Sequence, residues 1–187
     1  IKNTKGYPEI FIGEKPLPVL SSYFGYIYDD FGYTHKPREF HEPYGKKLAA
    51  AGILDNMFLP ISITVPDGNV DFSRARQIFE NIRKINPDAK FILRCYIYAT
   101  PEFAAKYPGD VVLFEDGTAN HWKSRPRIKA EQTRYSFASR NFERECVLGM
   151  RTLLENLKHE QYAENVYALV ISIGETGEWN VWQGFDT

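Results

Sequence analysis

The stretch from Val166 to Trp179, VYALVISIGETGEW, decides the fold that we expect for this chain. Its first eight residues are largely apolar and rich in β-branched side chains, which is typical of a buried strand in a parallel sheet. Two glycines follow, which permit a tight turn, together with Glu175 and Glu178. Carboxylates at the end of a strand can serve as general acid and base in a cleft. The alternative is a strand followed by a solvated turn whose glutamates have no chemical role.

Strands and helices alternate upstream of this stretch. We predict a small hairpin at 7–17, strands at 18–23, 56–64 and 90–98, helices at 43–51 and 72–85, and a helix capped by Ser139. A long loop is expected from 99 to about 134. Strands that alternate with helices indicate parallel pairing through right-handed crossovers, so we predict an α/β fold. No composition break divides residues 1–187, which are expected to form a single domain.

The strand at 90–98 has two different faces. Phe91, Leu93, Cys95 and Ile97 form an apolar face, whereas Arg94, Tyr96 and Tyr98 make the opposite face increasingly polar towards the carboxyl end. In a β/α barrel the first face would pack on helices and the second would face the barrel interior. Arg94 is expected either to form a buried ion pair or to contact substrate.

Composition excludes several classes of protein and site. The formal net charge is −1 with no basic run, which argues against a nucleic-acid partner. No segment approaches 18 consecutive apolar residues, so no membrane-spanning helix is expected. Cys95 and Cys146 lie in apolar patterns that favour two small buried side chains over a disulfide. The loop carrying Asp29, Asp30, His35 and His41 matches no strong metal-ligand spacing, and we expect neither a metal nor a cofactor.

Three segments resemble the clan A glycoside hydrolases: IFIGEKP at 10–16, NPDAK at 86–90 before FILR, and GETGEW at 174–179. The nearest group is the β-galactosidase-like family 42 enzymes. The resemblance implies a (β/α)8 barrel of the TIM type whose fourth strand ends in the general acid/base, which is Glu178 by position, with Glu175 as second choice. It implies retaining hydrolysis of β-glycosidic bonds, with a nucleophile from the seventh strand, outside this chain. Many clan members have Asn before the acid/base, whereas Gly177 stands there here.

The same resemblance gives a set of candidate substrate-binding residues. Arg94, Tyr96 and Tyr98 would line the barrel mouth, where the active sites of such barrels lie. Trp122, Trp179 and Trp182 are candidates for stacking on sugar faces, with ordinary core or loop packing as the alternative.

A complete barrel needs about 250 residues, so this chain would supply about the first four strands. We expect a carbohydrate substrate, and either the remainder of the same barrel or a second chain as partner. Two other functions stay open: a non-catalytic carbohydrate-binding relative and a general α/β interaction domain. Because the chain begins at Ile1, we expect a processed or excerpted chain, and the compartment is left open between secreted, periplasmic and cytoplasmic.

Overall fold

The structure is a computed structural model that describes residues 2–4, 6–9, 11–16, 42–52, 56–113, 115, 117, 121–122 and 132–173. In this part of the chain the strands are β1 (Lys2–Thr4), β2 (Tyr7–Glu9), β3 (Phe11–Ile12), β4 (Lys15–Pro16), β5 (Asn56–Val65), β6 (Val70–Asp71), β7 (Lys90–Ala99), β8 (His121–Trp122), β9 (Gln132–Thr133) and β10 (Val166–Ile173). The helices are α1 (Glu42–Ala50), α2 (Ser73–Arg83), α3 (Pro101–Lys106) and α4 (Arg140–Leu157), with 3-10 turns at Pro108–Asp110 and Ala163–Asn165.

The central element is a four-stranded sheet with the order β10-β7-β5-β6. β5, β7 and β10 are parallel, as the sequence predicts, while β6 returns antiparallel to β5 through the turn at Pro66–Gly68. The sheet is open. Its strands are mostly parallel and are connected by helices, so the fold is α/β. The predicted strand at 18–23 lies outside the described residues.

The two faces of the sheet differ as the alternation in β7 predicts. Phe91, Leu93, Cys95, Ile97 and Ala99 are buried, and the odd-numbered residues of β5 from Met57 to Val65 are buried beside them. Helices α2 and α4 pack on this apolar face, which is called the outer face here. The opposite face, which holds Arg94, Tyr96 and Tyr98, is called the inner face here, and its residues on β5 and β7 are half-buried.

Helix α2 lies on the outer face through the apolar stripe that the sequence predicts. Ala75, Ile78, Phe79 and Ile82 are buried, and the Phe79 ring meets the Phe91 ring edge-on with centroids 5.7 Å apart. The Asp71 carboxylate accepts a hydrogen bond of 2.8 Å from the Ser73 backbone N–H, which satisfies one free donor of the first turn. The helix begins at Ser73, one residue after its predicted start, and ends at Arg83, two residues before its predicted end.

Helix α4 lies on the same outer face, against β5. Its cap is the predicted one, because the Ser139 Oγ accepts a hydrogen bond of 2.9 Å from the Phe142 N–H. Its fully buried residues are Phe142, Glu145, Gly149 and Leu153, whereas Cys146, Met150 and Leu157 are only partly buried. All five of these apolar residues contact the core, and the buried face of α4 also includes a glutamate.

Other sequence predictions are corrected in detail. The hairpin predicted at 7–17 is confirmed only for residues 11–16, where β3 pairs with β4 and Gly13 lies in the turn at φ +61°. Residues 7–9 instead form β2, which pairs with β1 in a separate hairpin. The segment expected to be a long loop contains α3, a 3-10 turn and the short β8–β9 pair. Helix α1 follows its prediction within one residue, with Gly52 at φ +70° just beyond its end.

The expectation that residues 166–173 form a buried strand is only half correct. β10 is a strand and is parallel to β7, but it lies at an edge of the described sheet. Leu169, Val170 and Ile171 are 38–40% exposed, since no further strand or helix among the described residues covers them.

Candidate functional site

The inner face of the sheet gathers polar side chains at the carboxyl ends of its parallel strands. The register pairs Tyr96 with Ser62 of β5 on one side and with Ser172 of β10 on the other. Tyr98 is paired with Thr64 in the same way. Because paired residues of parallel strands project to the same side, these side chains form one polar patch, to which Arg94 also belongs. Ser172 is buried within this patch, with 1% exposure.

Arg94 and Tyr96 are positioned by contacts that cross the strands. The Arg94 Nε donates a hydrogen bond of 3.1 Å to the Ser172 Oγ, which ties β7 to β10 on this face. The guanidinium carbon of Arg94 lies 5.0 Å from the centroid of the Tyr96 ring, within the range of a cation–π contact. The arrangement keeps a positive charge and an aromatic face together.

Tyr96 and Tyr98 stack their two aromatic rings along β7. Their planes differ by only 3°, and their centroids are 6.2 Å apart. Parallel rings on one strand give a rigid surface with apolar faces and hydroxyl groups at the tips. Such a surface suits a ligand that has both C–H faces and hydroxyl groups, which is the chemistry of a sugar ring.

The loops above this surface are held by short polar contacts. The Thr64 hydroxyl donates to the Asp67 carboxylate at 2.8 Å, and the Thr100 hydroxyl donates to the Val65 carbonyl at 3.2 Å. The pKa of Glu102 lies below its ordinary value because the Thr100 side chain and the Glu102 backbone N–H both hydrogen-bond to its carboxylate, while the charge of Asp67 opposes the shift. Glu102 is therefore an ionised, exposed residue in the first turn of α3 at neutral pH and is not suited to act as a general acid.

A buried carboxylate that sequence analysis missed lies between α3 and α4. The Glu145 side chain is 4% exposed, and its Oε1 accepts hydrogen bonds from the Tyr107 hydroxyl and from Lys106 Nζ at 3.0 Å. Burial raises the pKa of Glu145, but the hydrogen bonds from Tyr107 and Lys106 outweigh it, so the pKa lies below the usual value. Arg144 completes the cluster by donating to the Tyr107 hydroxyl at 2.9 Å.

This cluster fixes the connection that follows β7. A second set of contacts acts beside it, since the Asp110 carboxylate accepts from the Ser139 hydroxyl at 2.8 Å and from the Asn141 amide at 2.7 Å. The sequence contains a signal for Glu145, because this residue stands three places after Phe142 and four before Gly149, on the same helix face.

Only some of the predicted catalytic and substrate-binding residues lie in the part of the chain that the structure describes. Arg94, Tyr96 and Tyr98 are brought together on the inner face. Trp122 lies in β8, opposite Gln132, but its side chain is outside the described residues. The remaining predicted site residues are also outside them: Glu175, Glu178, Trp179 and Trp182. The last described residue of β10, Ile173, is paired with Ile97 of β7.

No metal centre emerges from the described ranges, in which no three His, Cys, Asp or Glu side chains are grouped to hold an ion. The predicted solvated loop with Asp29, Asp30, His35 and His41 lies outside those ranges. Cys95 and Cys146 are both free thiols, as predicted, and burial raises the pKa of each to about 12. Within the part of the chain that the structure covers, no helix combines the length and apolar character needed to cross a bilayer.

Comparison with known proteins adds no relative to this picture. No protein-family model, no curated protein and no solved structure matches the chain.

Proposed function

We propose that this chain is the first half of a (β/α)8 barrel of a retaining β-glycosidase, with Glu178 as the general acid/base. The observation that carries the proposal is the polar inner face of the parallel sheet, where Tyr96 and Tyr98 lie in the carboxyl-terminal half of β7 and Arg94 lies near its middle. Barrel enzymes build their active sites at the carboxyl ends of their strands.

The fold supports this proposal at a coarser level. β5, β7 and β10 follow one another in the sheet in chain order, and α2 and α4, which connect them, pack on one face. A β/α barrel repeats this unit around a cylinder, whereas a doubly wound sheet places helices on both faces. An open portion of parallel sheet with α2 and α4 on one side is what the first half of such a barrel would provide.

The proposed chemistry assigns a role to each group. Glu178 would protonate the leaving oxygen and later activate water, and the nucleophile would come from the rest of the barrel, about 5 Å away. Glu175 would be a neighbouring carboxylate that orients substrate. Tyr96 and Tyr98 would contact the sugar face, with Arg94 donating to its hydroxyl groups. Trp122, Trp179 and Trp182 would provide further stacking surfaces.

The test is the exchange of each glutamate for its amide in the intact protein that contains this chain. Glu178→Gln should lower kcat for unactivated β-glycosides by about 10²–10⁴-fold, because it removes the acid/base group without changing its size. Glu175→Gln should have a clearly smaller effect. Hydrolysis that is unchanged in Glu178→Gln, with the fold checked by circular dichroism, would refute the assignment.

A second candidate function is carbohydrate binding without catalysis. The observation that favours it is the composition of the inner face, because β5, β7 and β10 place no Asp or Glu there within their described lengths. A protein that binds glycans on an array but releases no product from aryl or natural β-glycosides would be this binding relative. Silence in both assays would instead favour a general interaction domain.

A further inference from the structure

Ser172 lies on the inner face of β10, beside the residues that are proposed to contact the sugar. The register pairs it with Tyr96 of β7. Although Ser172 is polar, it is only 1% exposed, so its hydroxyl group is largely shielded from solvent. A polar side chain that is buried in this way normally has a hydrogen-bond partner in the protein. The identity of that partner indicates what the serine does.

The partner of Ser172 is Arg94, on the neighbouring strand. The Arg94 Nε donates a hydrogen bond of 3.1 Å to the Ser172 Oγ. The register pairs Arg94 with Val170, so this bond runs diagonally between β7 and β10. Nε joins the planar guanidinium group to its aliphatic stem, and a hydrogen bond at this atom restricts the orientation of the whole plane.

The guanidinium group of Arg94 is the first of three planar groups that follow one another along β7. Its carbon lies 5.0 Å from the centroid of the Tyr96 ring. The Tyr96 and Tyr98 rings come next, with planes 3° apart and centroids 6.2 Å apart. Each planar group loses contact with its neighbour when that neighbour tilts, so the orientations of the three groups depend on one another. Whatever orients Arg94 therefore also acts on the Tyr96 ring.

We propose that Ser172 is a positioning residue of the sugar-binding surface, and that it acts through Arg94 to hold Tyr96 and Tyr98 in their stacked arrangement. The inference rests on the proposed function, which assigns these three groups to contact with a sugar. Ser172 is itself too buried to contact a ligand, so its effect on binding is indirect. Groups that are already held in place lose less conformational freedom when a ligand binds, which increases affinity.

The substitution Ser172→Ala tests this role because it removes the acceptor of the hydrogen bond without adding bulk to the sheet. Binding of β-glycosides would be measured by titration calorimetry on the intact protein that contains this chain. We expect about tenfold weaker binding, since a hydrogen bond from a charged donor is lost. In hydrolysis assays KM should rise by a similar factor while kcat changes by less than about twofold, because the lost contribution is the same in the ground state and the transition state.

Two comparisons separate positioning from a general loss of stability. Ser139→Ala removes another buried serine, which caps α4 and lies outside the inner face, and it should lower stability without changing affinity. In the Arg94→Ala background, Ser172→Ala should change affinity by less than about twofold, because the group through which the serine acts is absent.

A second readout follows the hydrogen bond without any ligand. The Arg94 Nε–H proton gives its own NMR signal, and a hydrogen bond to a buried acceptor slows its exchange with water. Ser172→Ala should accelerate this exchange at least tenfold relative to the parent, whereas Ser139→Ala should leave it unchanged. Equal exchange rates in the parent and in Ser172→Ala would refute the hold of Ser172 on Arg94.

The outcomes distinguish failure of this inference from failure of the proposed function. Glycosides that bind equally well to the parent and to Ser172→Ala would overturn the inference and leave the proposed function standing. The same loss of affinity from Ser172→Ala with and without Arg94 would also overturn it, since the serine would then act by another route. A parent protein that binds no glycoside would refute the proposed function and the role of Ser172 together.

Discussion

Replacing Gly149 by alanine tests the packing of α4 on β5, on which the whole outer layer depends. Gly149 lies in the middle of α4, where alanine would ordinarily stabilise a helix by about 1 kcal/mol. In this structure a Cβ at position 149 would lie 2.7 Å from Ile63 Cγ2. That is well inside normal contact distance, and Ile63 is fully buried in β5, so it cannot move aside freely.

The cost of overpacking against Ile63 and the gain in helix propensity together predict a net loss of stability. Overpacking of a well-filled core costs about 1–3 kcal/mol, which exceeds the gain in helix propensity in most of that range. We therefore expect Gly149→Ala to lower the free energy of unfolding by about 1 kcal/mol, with an unchanged urea m-value. In the Ile63→Ala background, where the clashing methyl group is absent, the same change should be neutral or stabilising.

Urea denaturation followed by circular dichroism measures these differences. Gly109→Ala is the matched control, because a Cβ at position 109 would have no atom within 4 Å, and it should change stability by less than about 0.5 kcal/mol. A Gly149→Ala protein that is more stable than the parent would refute the close packing of α4 against Ile63.

Two further substitutions probe buried polar groups. Glu145→Gln should lower the free energy of unfolding at pH 7 by about 1–3 kcal/mol, because a charged acceptor of two hydrogen bonds is lost. The pKa of Glu145 is lowered in the folded state, so the stability that its ionised carboxylate contributes is present above the unfolded pKa of about 4.3 and is lost as pH falls through the folded pKa. The parent should therefore lose more stability than Glu145→Gln between pH 6 and pH 3. Parallel plots of unfolding free energy against pH for the two proteins would contradict the assignment. Tyr162→Phe should leave stability unchanged or raise it by up to about 1 kcal/mol, because the fully buried hydroxyl has no hydrogen-bond partner among the described residues. A loss above about 1 kcal/mol in thermal or urea unfolding would show that this hydroxyl is satisfied.

The regular part of the fold could be predicted from local pattern. The helical period in α2 and the two-residue alternation in β7 are each set by the face that packs against the neighbouring layer, so the sequence carries them directly. The cap at Ser139 is equally local, because one hydroxyl satisfies one backbone N–H. These elements were placed within one or two residues.

Features that depend on distant neighbours were not predictable in the same way. The pattern of β10 is that of a buried strand, yet the exposure of Ile171 depends on what lies beside the strand, and a local pattern does not contain that information. The burial of Glu145 could not be predicted locally, because its partners, Lys106 and Tyr107, are almost 40 residues away in the chain. Helix α3 has only six residues, too few for a period to be recognised.

In the candidate site, too, the features set by local pattern were predictable and those set by distant neighbours were not. The alternation in β7 was sufficient to place Arg94, Tyr96 and Tyr98 on one face. The contact of Arg94 with Ser172 depends on the register between β7 and β10, which a single sequence does not specify. The role of Glu178 rests on a resemblance and is a proposal.

Affinity for β-glycosides tests most directly whether the inner face is a carbohydrate surface. Binding would be measured by titration calorimetry on the intact protein that contains this chain, with Tyr98→Ala as the variant. Tyr44→Ala, at an exposed position on α1, would be the matched control. We predict at least tenfold weaker binding for Tyr98→Ala, equivalent to about 1.4 kcal/mol, and no change for the control. Equal affinities in the parent and in Tyr98→Ala would contradict the account.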